Sequence, residues 1–219
     1  MALGEYVYGV ILSKDTPKEF QIKGMEGNPV YPLKYKTLTA MASKATMREF
    51  KPTDENVEIH KKVELAILKQ CSVLPVAYGM VFKDRGIVLG TMKKVYPLLW
   101  KSLKRVENKV ELGIKAIVPK EKKELEKLLN GKSVEEFGKE CEAEFIESFG
   151  DIATSVKKDK LFSERLICNQ SFLVEKDRVD EFTEKVKELR KKFNALKIQY
   201  TGPWPAHNFV NIRIMSGGR

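Results

Sequence analysis

The sequence predicts an α+β protein of two small domains, an N-terminal α+β domain over residues 1–107 and a C-terminal domain over residues 108–219. Three observations lead there. The chain has 219 residues, 42% hydrophobic and 32% charged, which is globular composition with apolar material for one large core or two modest ones. Short β-rich apolar runs alternate with longer segments whose apolar residues recur at helical spacing. In the second half the elements run strand, helices, strand, helix, strand, strand, an order typical of helices laid on one face of a largely antiparallel sheet.

Each element has a local reason. Tyr6–Leu12 (YVYGVIL) is an apolar run suited to a strand buried on both faces. After a turn-forming stretch with Gly24, Gly27 and Pro29, weaker strand patterns cover Val30–Tyr35 and Leu38–Ala42. Asp54, after Pro52-Thr53, is a candidate N-cap for a helix over 56–71, with Ile59, Val63, Ala66, Ile67 and Gln70 on one face. Val73–Phe82 has strand character, with Pro75 marking an edge or entry position because proline cannot donate to a ladder. Residues 88–106 keep helical register, but Pro97 predicts a kink or two short helices.

In the second domain, Val110–Val118 alternates as a strand and Pro119 ends it. Two Glu/Lys/Leu-rich helices follow, interrupted at Gly131 and Gly150. Arg165–Val174 is a strand, and Val179, Phe182, Val186, Leu189 and Phe193 define the clearest helix, packed on a sheet containing Phe172 and Val174. Leu196–Tyr200 and Phe209–Ile214 are expected as closing strands on either side of TGPWPAHN. This order resembles a ferredoxin-like unit.

Function classes narrow by exclusion. No run approaches the ~20 apolar residues of a membrane span, and the opening MALGEYVYGVILSKD lacks a basic segment before its apolar stretch, so a cytoplasmic location is expected. Cys71, Cys141 and Cys168 are odd in number and scattered, and are expected as small buried hydrophobes rather than disulfide partners or metal ligands. The net charge is +10, with 18 Lys/Arg against 11 Asp/Glu up to Glu107 and 22 against 19 beyond it. The lysines are interleaved with glutamates, as in KEKKELEK at 120–127, which reads as a solvated helix face more than a phosphate-tracking stripe.

No phosphate-binding glycine loop, nucleophile elbow or H-E-x-x-H pattern is present. His60 and Cys71 would be ~16 Å apart along one helix, too far for a nucleophile–base pair. The only other histidine is His207, for which nothing favours a pairing with Cys168. No catalytic, cofactor-binding or metal-binding residues are therefore expected, and His60 is expected to be structural, packed near Leu74–Phe82. The unusual local feature is Tyr200-Thr201-Gly202-Pro203-Trp204-Pro205-Ala206-His207-Asn208-Phe209. Two prolines stiffen it and hold Trp204 in one orientation, either as a lid on its own core or as an aromatic anchor for a partner.

GPWPAHNFV resembles the GPWPPYxFV signature of the gas vesicle protein F/L family. Further segments are similar in the family's order: YVYGVI near the start, His60 followed by VLPVAYGMVFKD at 73–84, RVENKVELGIKAIV around Glu111, and NQSFLVEKDRVDEF at 169–182. The chain departs from the family pattern at Ala77, Tyr78 and Ala206-His207, where Arg, Phe and Pro-Tyr are usual.

The resemblance implies an N-terminal α+β domain of unusual topology and a C-terminal domain of modified ferredoxin-like fold. It implies a non-catalytic assembly factor or minor structural component that binds the hydrophobic, A-type shell protein and other accessory proteins, without cofactor or nucleic acid, and that can sit on the gas-facing surface. Trp204, Tyr200 and Phe209, with Tyr78 and Phe82 as weaker candidates, are the expected partner-binding residues. The competing reading is an RNA-binding ferredoxin-like module of the RRM kind. Against it, the strands supply mainly Phe172 and Tyr200 and no RNP1-like run.

Overall fold

The computed structural model describes residues 2–210. It divides the chain into two compact units, one running to Asn108 and rejoined by the segment that begins at Pro205, the other spanning Lys109–Trp204.

The first unit is built around β1 (Leu3–Leu12), buried from Gly4 to Leu12 as a run apolar on both faces requires. It pairs antiparallel with β3 (Leu38–Thr46), which in turn carries β2 (Val30–Tyr35). On its other side β1 holds two short strands, β4 (Leu74–Pro75) and β5 (Val81–Phe82). The single strand expected over 73–82 is thus broken in two. Gly79, at φ +82°, turns the chain between the halves, a conformation that favours glycine.

Helix α1 (Asp54–Gln70) is capped by Thr53, whose hydroxyl accepts from the Asn56 amide, so the cap lies one residue before the expected Asp54. Residues 85–106 form two helices, α2 (Arg85–Lys94) and α3 (Tyr96–Val106), broken at Val95 because Pro97 cannot continue a ladder but fits a first turn.

The second unit contains β6 (Lys109–Ile117), α4 (Lys122–Leu129), α5 (Val134–Phe149), β7 (Ala153–Lys158), β8 (Leu166–Glu175), α6 (Val179–Lys192) and β9 (Lys197–Trp204). Its sheet has the order β7-β8-β6-β9, antiparallel throughout. Ser133 and Glu136 close a reciprocal capping box at the start of α5. The core is phenylalanine: Phe149 stacks on Phe182 at 3.9 Å between ring centres, and Phe172 meets both edge-on. Phe182, Val186 and Leu189 are buried on α6 as its spacing predicts, while Val179 and Phe193 are half-buried.

Three further sequence expectations are corrected. β7 lay in a stretch where no strand was expected. Residues 205–210 belong with the first unit rather than with the second domain: β9 ends at Trp204, and Ala206 and Phe209 are buried. Phe209 closes a short 3₁₀ turn, His207–Phe209, instead of opening a strand. The remainder of that expected strand, from 211, lies outside the described residues.

Candidate partner-binding site

Two of the five candidate residues lie on β9. Among the described residues this is an edge strand, with one side of it paired to no other strand of its sheet. Tyr200 is half-buried, its ring stacked on Phe182 at 5.9 Å and its hydroxyl 3.1 Å from that of Thr183. Trp204 is the last residue of the strand, opposite Glu111, and is 36% exposed. Gly202 has φ +116°, and a Cβ there would come within 2.7 Å of the Glu111 carbonyl oxygen. Glycine therefore lets β9 follow β6 past the irregularity between Glu111 and Gly113 and delivers Trp204 in register. Trp204 is held by a strand ladder, where a stiff loop was expected.

The other three lie in the first unit. Phe82 and Phe209 are buried and unavailable to a partner in this fold. Tyr78 is half-buried and its hydroxyl donates to the Lys51 carbonyl at 2.8 Å. Of the five, Trp204 is the most exposed, with Tyr200 and Tyr78 partly accessible.

Sequence reasoning missed a buried polar chain in the first unit. The Tyr6 hydroxyl accepts from the Gly79 amide at 2.9 Å and lies 3.0 Å from His60 Nδ1. The Nε2–H tautomer of His60 suits both neighbours, because Nδ1 then accepts from the Tyr6 hydroxyl and the ring hydrogen faces Glu64. That nitrogen faces Glu64 Oε1 at 3.3 Å, without a well-formed hydrogen bond. The second carboxylate oxygen accepts from His207 Nε2 at 2.9 Å.

Glu64 is 2% exposed, and burial alone would raise its pKa; the hydrogen bond from His207, with the His60 imidazole beside the other oxygen, outweighs that and holds it below the usual carboxylate value. Burial pushes the Tyr6 phenol up, opposed by the Gly79 hydrogen bond. His60 also packs edge-on against Tyr78, 5.6 Å between centres, consistent with a structural role beside the 74–82 segment. The i,i+4 spacing of His60 and Glu64 on α1 was visible in the sequence; the link to His207, 143 positions from Glu64, had no local signal.

The three cysteines are buried, and none is in a disulfide among the described residues. Burial pushes the Cys141 thiol up to about 11 and that of Cys168 higher still, the opposite of an activated nucleophile. Among the described residues no group of three or more His, Cys, Asp or Glu is placed to hold a metal ion, and no helix is long and apolar enough to cross a membrane. Phe172 and Tyr200, the aromatics an RRM reading needed, both pack against Phe182 on the helix-covered face, the first edge-on and the second stacked, not on an open sheet.

The family model for "Gas vesicle synthesis protein GvpL/GvpF" matches residues 4–135 and 128–211. Gas vesicle protein F1 of Halobacterium salinarum is 32% identical over 228 aligned positions, covering 98% of each chain. Gas vesicle protein F of Haloferax mediterranei is 33% identical, covering 95% of this chain and 94% of its own. The crystal structure of GvpF from Anabaena superposes with a TM-score of 0.88 at 19% identity, covering 97% of this chain and 98% of that one. GvpF from Microcystis aeruginosa gives a TM-score of 0.82 at 18% identity, with 95% and 99% covered. The ordered motifs, the two antiparallel sheets and these full-length matches place the chain in the gas vesicle GvpL/GvpF family.

Proposed function

We propose that the protein is a non-catalytic assembly factor or minor structural component of gas vesicles that binds the hydrophobic shell protein. The observation that carries this reading is the edge position of β9 among the described strands, ending in the exposed Trp204, in a chain of the GvpL/GvpF family. A shell subunit with apolar strands needs shielding before assembly, and an edge strand can pair with such a strand while a large aromatic anchors it. The positive net charge helps keep such a complex in solution. The second unit is read as a ferredoxin-like module, supported by the order β9-β6-β8-β7 with α5 and α6 packed on one face. Other accessory proteins are proposed as further partners, with the protein acting in the cytoplasm and on the vesicle, including its gas-facing surface.

The test is direct binding of purified shell protein to the full chain. Trp204→Ala should weaken it by about 2 kcal/mol or more, while the thermal melt stays within about 1 kcal/mol of the parent. Unchanged binding by a folded Trp204→Ala protein would move the shell site away from β9.

A further inference from the structure

An open groove of about 640 Å³ runs along the second unit between α5, the start of β8 and the 159–165 segment. Its apolar lining comes from Val134, Gly138, Leu161, Leu166 and Ile167. Gly138 lies so close to Ile167 that a Cβ on it would sit 3.2 Å from the Ile167 carbonyl oxygen, so α5 presses on β8 there and the groove has a firm floor. Two side chains beside it are exposed well beyond ordinary surface hydrophobes: Leu161 at 52% and Phe162 at 71%, the latter the most exposed large apolar residue among those described.

The rim has a sign opposite to the chain. The protein carries +10, yet α5 bears six glutamates and one lysine. Glu135, Glu142 and Glu164 stand on the groove against the single Lys139. Lys139 is already neutralised by Glu135 at 2.7 Å, and Glu142 pairs with Lys158 at 2.7 Å. With Lys158 counted, three glutamates stand against two lysines, and Glu164 leaves the rim net acidic. The Phe162 ring also takes a cation in this fold, with Lys115 Nζ 4.9 Å from its centre.

We infer that this groove docks a basic amphipathic segment of a partner protein, its apolar face entering between α5 and Leu161 and its Lys or Arg side chains meeting the glutamate rim and the face of Phe162. A helix laid in a groove buries apolar residues at i, i+3 and i+4, and flanking charges set which helix is accepted. An acidic segment would set like charges against the rim glutamates. This surface is separate from β9 and does not depend on the shell-protein reading.

The experiment uses the full chain and two labelled synthetic helices of about 14 residues, about four turns, one of Leu and Lys, the other of Leu and Glu, followed by fluorescence anisotropy. The Leu/Lys helix should bind at least about tenfold more tightly than the Leu/Glu helix, and added salt should weaken the difference. Phe162→Ser and Glu164→Lys, both at exposed positions, should each weaken the Leu/Lys helix at least about fivefold without shifting the melt. Glu58→Lys, an exposed change on α1, should leave binding unaltered, as should Trp204→Ala, which separates this groove from the shell site. Equal binding of the two helices overturns the proposal. So does a Glu58→Lys loss as large as that of Glu164→Lys, which would mean that net charge, not the groove, holds the peptide.

Discussion

The surroundings of Tyr6 and those of Phe182 solve the same burial problem with opposite chemistry. Around Tyr6 the first unit packs Tyr8, His60, Glu64 and Tyr78, and hydrogen bonds run from the Gly79 amide through Tyr6 to His60, while His207 binds Glu64. Around Phe182 the second unit packs Phe149, Phe172 and Tyr200 as rings on rings. A ring cluster specifies its fold by shape and loses stability in proportion to the volume removed. A polar chain specifies direction: each donor has one acceptor, and a buried group deprived of its partner costs more than the bond contributed. The first unit should therefore respond to pH and to single-atom changes, and the second to side-chain volume.

The largest effect should come from the second unit. Phe182→Ala removes a fully buried ring that touches three others and should cost about 3–5 kcal/mol in a denaturant titration, with no dependence on pH. A loss under about 1 kcal/mol would break the contrast.

Glu64→Gln comes next, at about 1.5–3 kcal/mol near neutral pH, as expected for hydrogen bonds to a charged group. Its sign with pH follows from the depressed folded-state pKa of Glu64. The stabilisation is fully present above the unfolded-state value near 4.5 and is lost as the pH falls through the folded value. Melts of the parent and of Glu64→Gln should therefore differ at neutral pH and converge in acid. Parallel curves across that range would remove Glu64 from the account.

Smaller again is Tyr6→Phe, at about 1–2 kcal/mol, which leaves the Gly79 amide without its acceptor and His60 Nδ1 without its donor. Hydrogen exchange at Gly79 should rise in that variant and stay unchanged in Phe182→Ala. The smallest effect belongs to Trp204→Ala, whose parent side chain is already partly in water.

Much of this was legible in the sequence, for reasons that can be located. The alternation of Val110–Val118 and the spacing of Phe182, Val186 and Leu189 are local patterns, and they became β6 and the buried face of α6. Pro97 marked the break between α2 and α3 because proline acts on its own backbone. β7 was hidden: ATSVKK is short, polar and half-buried, and its strand exists through its ladder to β8, which no window of residues can display. Trp204 was recognised as a held aromatic, but its restraint is a pairing partner on β6 that the two prolines do not encode. Phe82 and Phe209 have the residue type of partner anchors, but both are buried in this fold, which no local pattern displays.

The pin formed by His207 has a consequence for synthesis. The first unit receives its final segment only after the whole second unit has been made, because Lys109–Trp204 stands between Glu64 and His207 in chain order. The second unit enters and leaves through adjacent strands, with Glu111 paired to Trp204, so its two ends lie close together. It is thus an inserted module able to close on itself while the first unit is still waiting on the ribosome. During that interval Glu64 lacks one of the two imidazoles that face it in the finished fold. The earlier-made half of the protein is the later one to be finished.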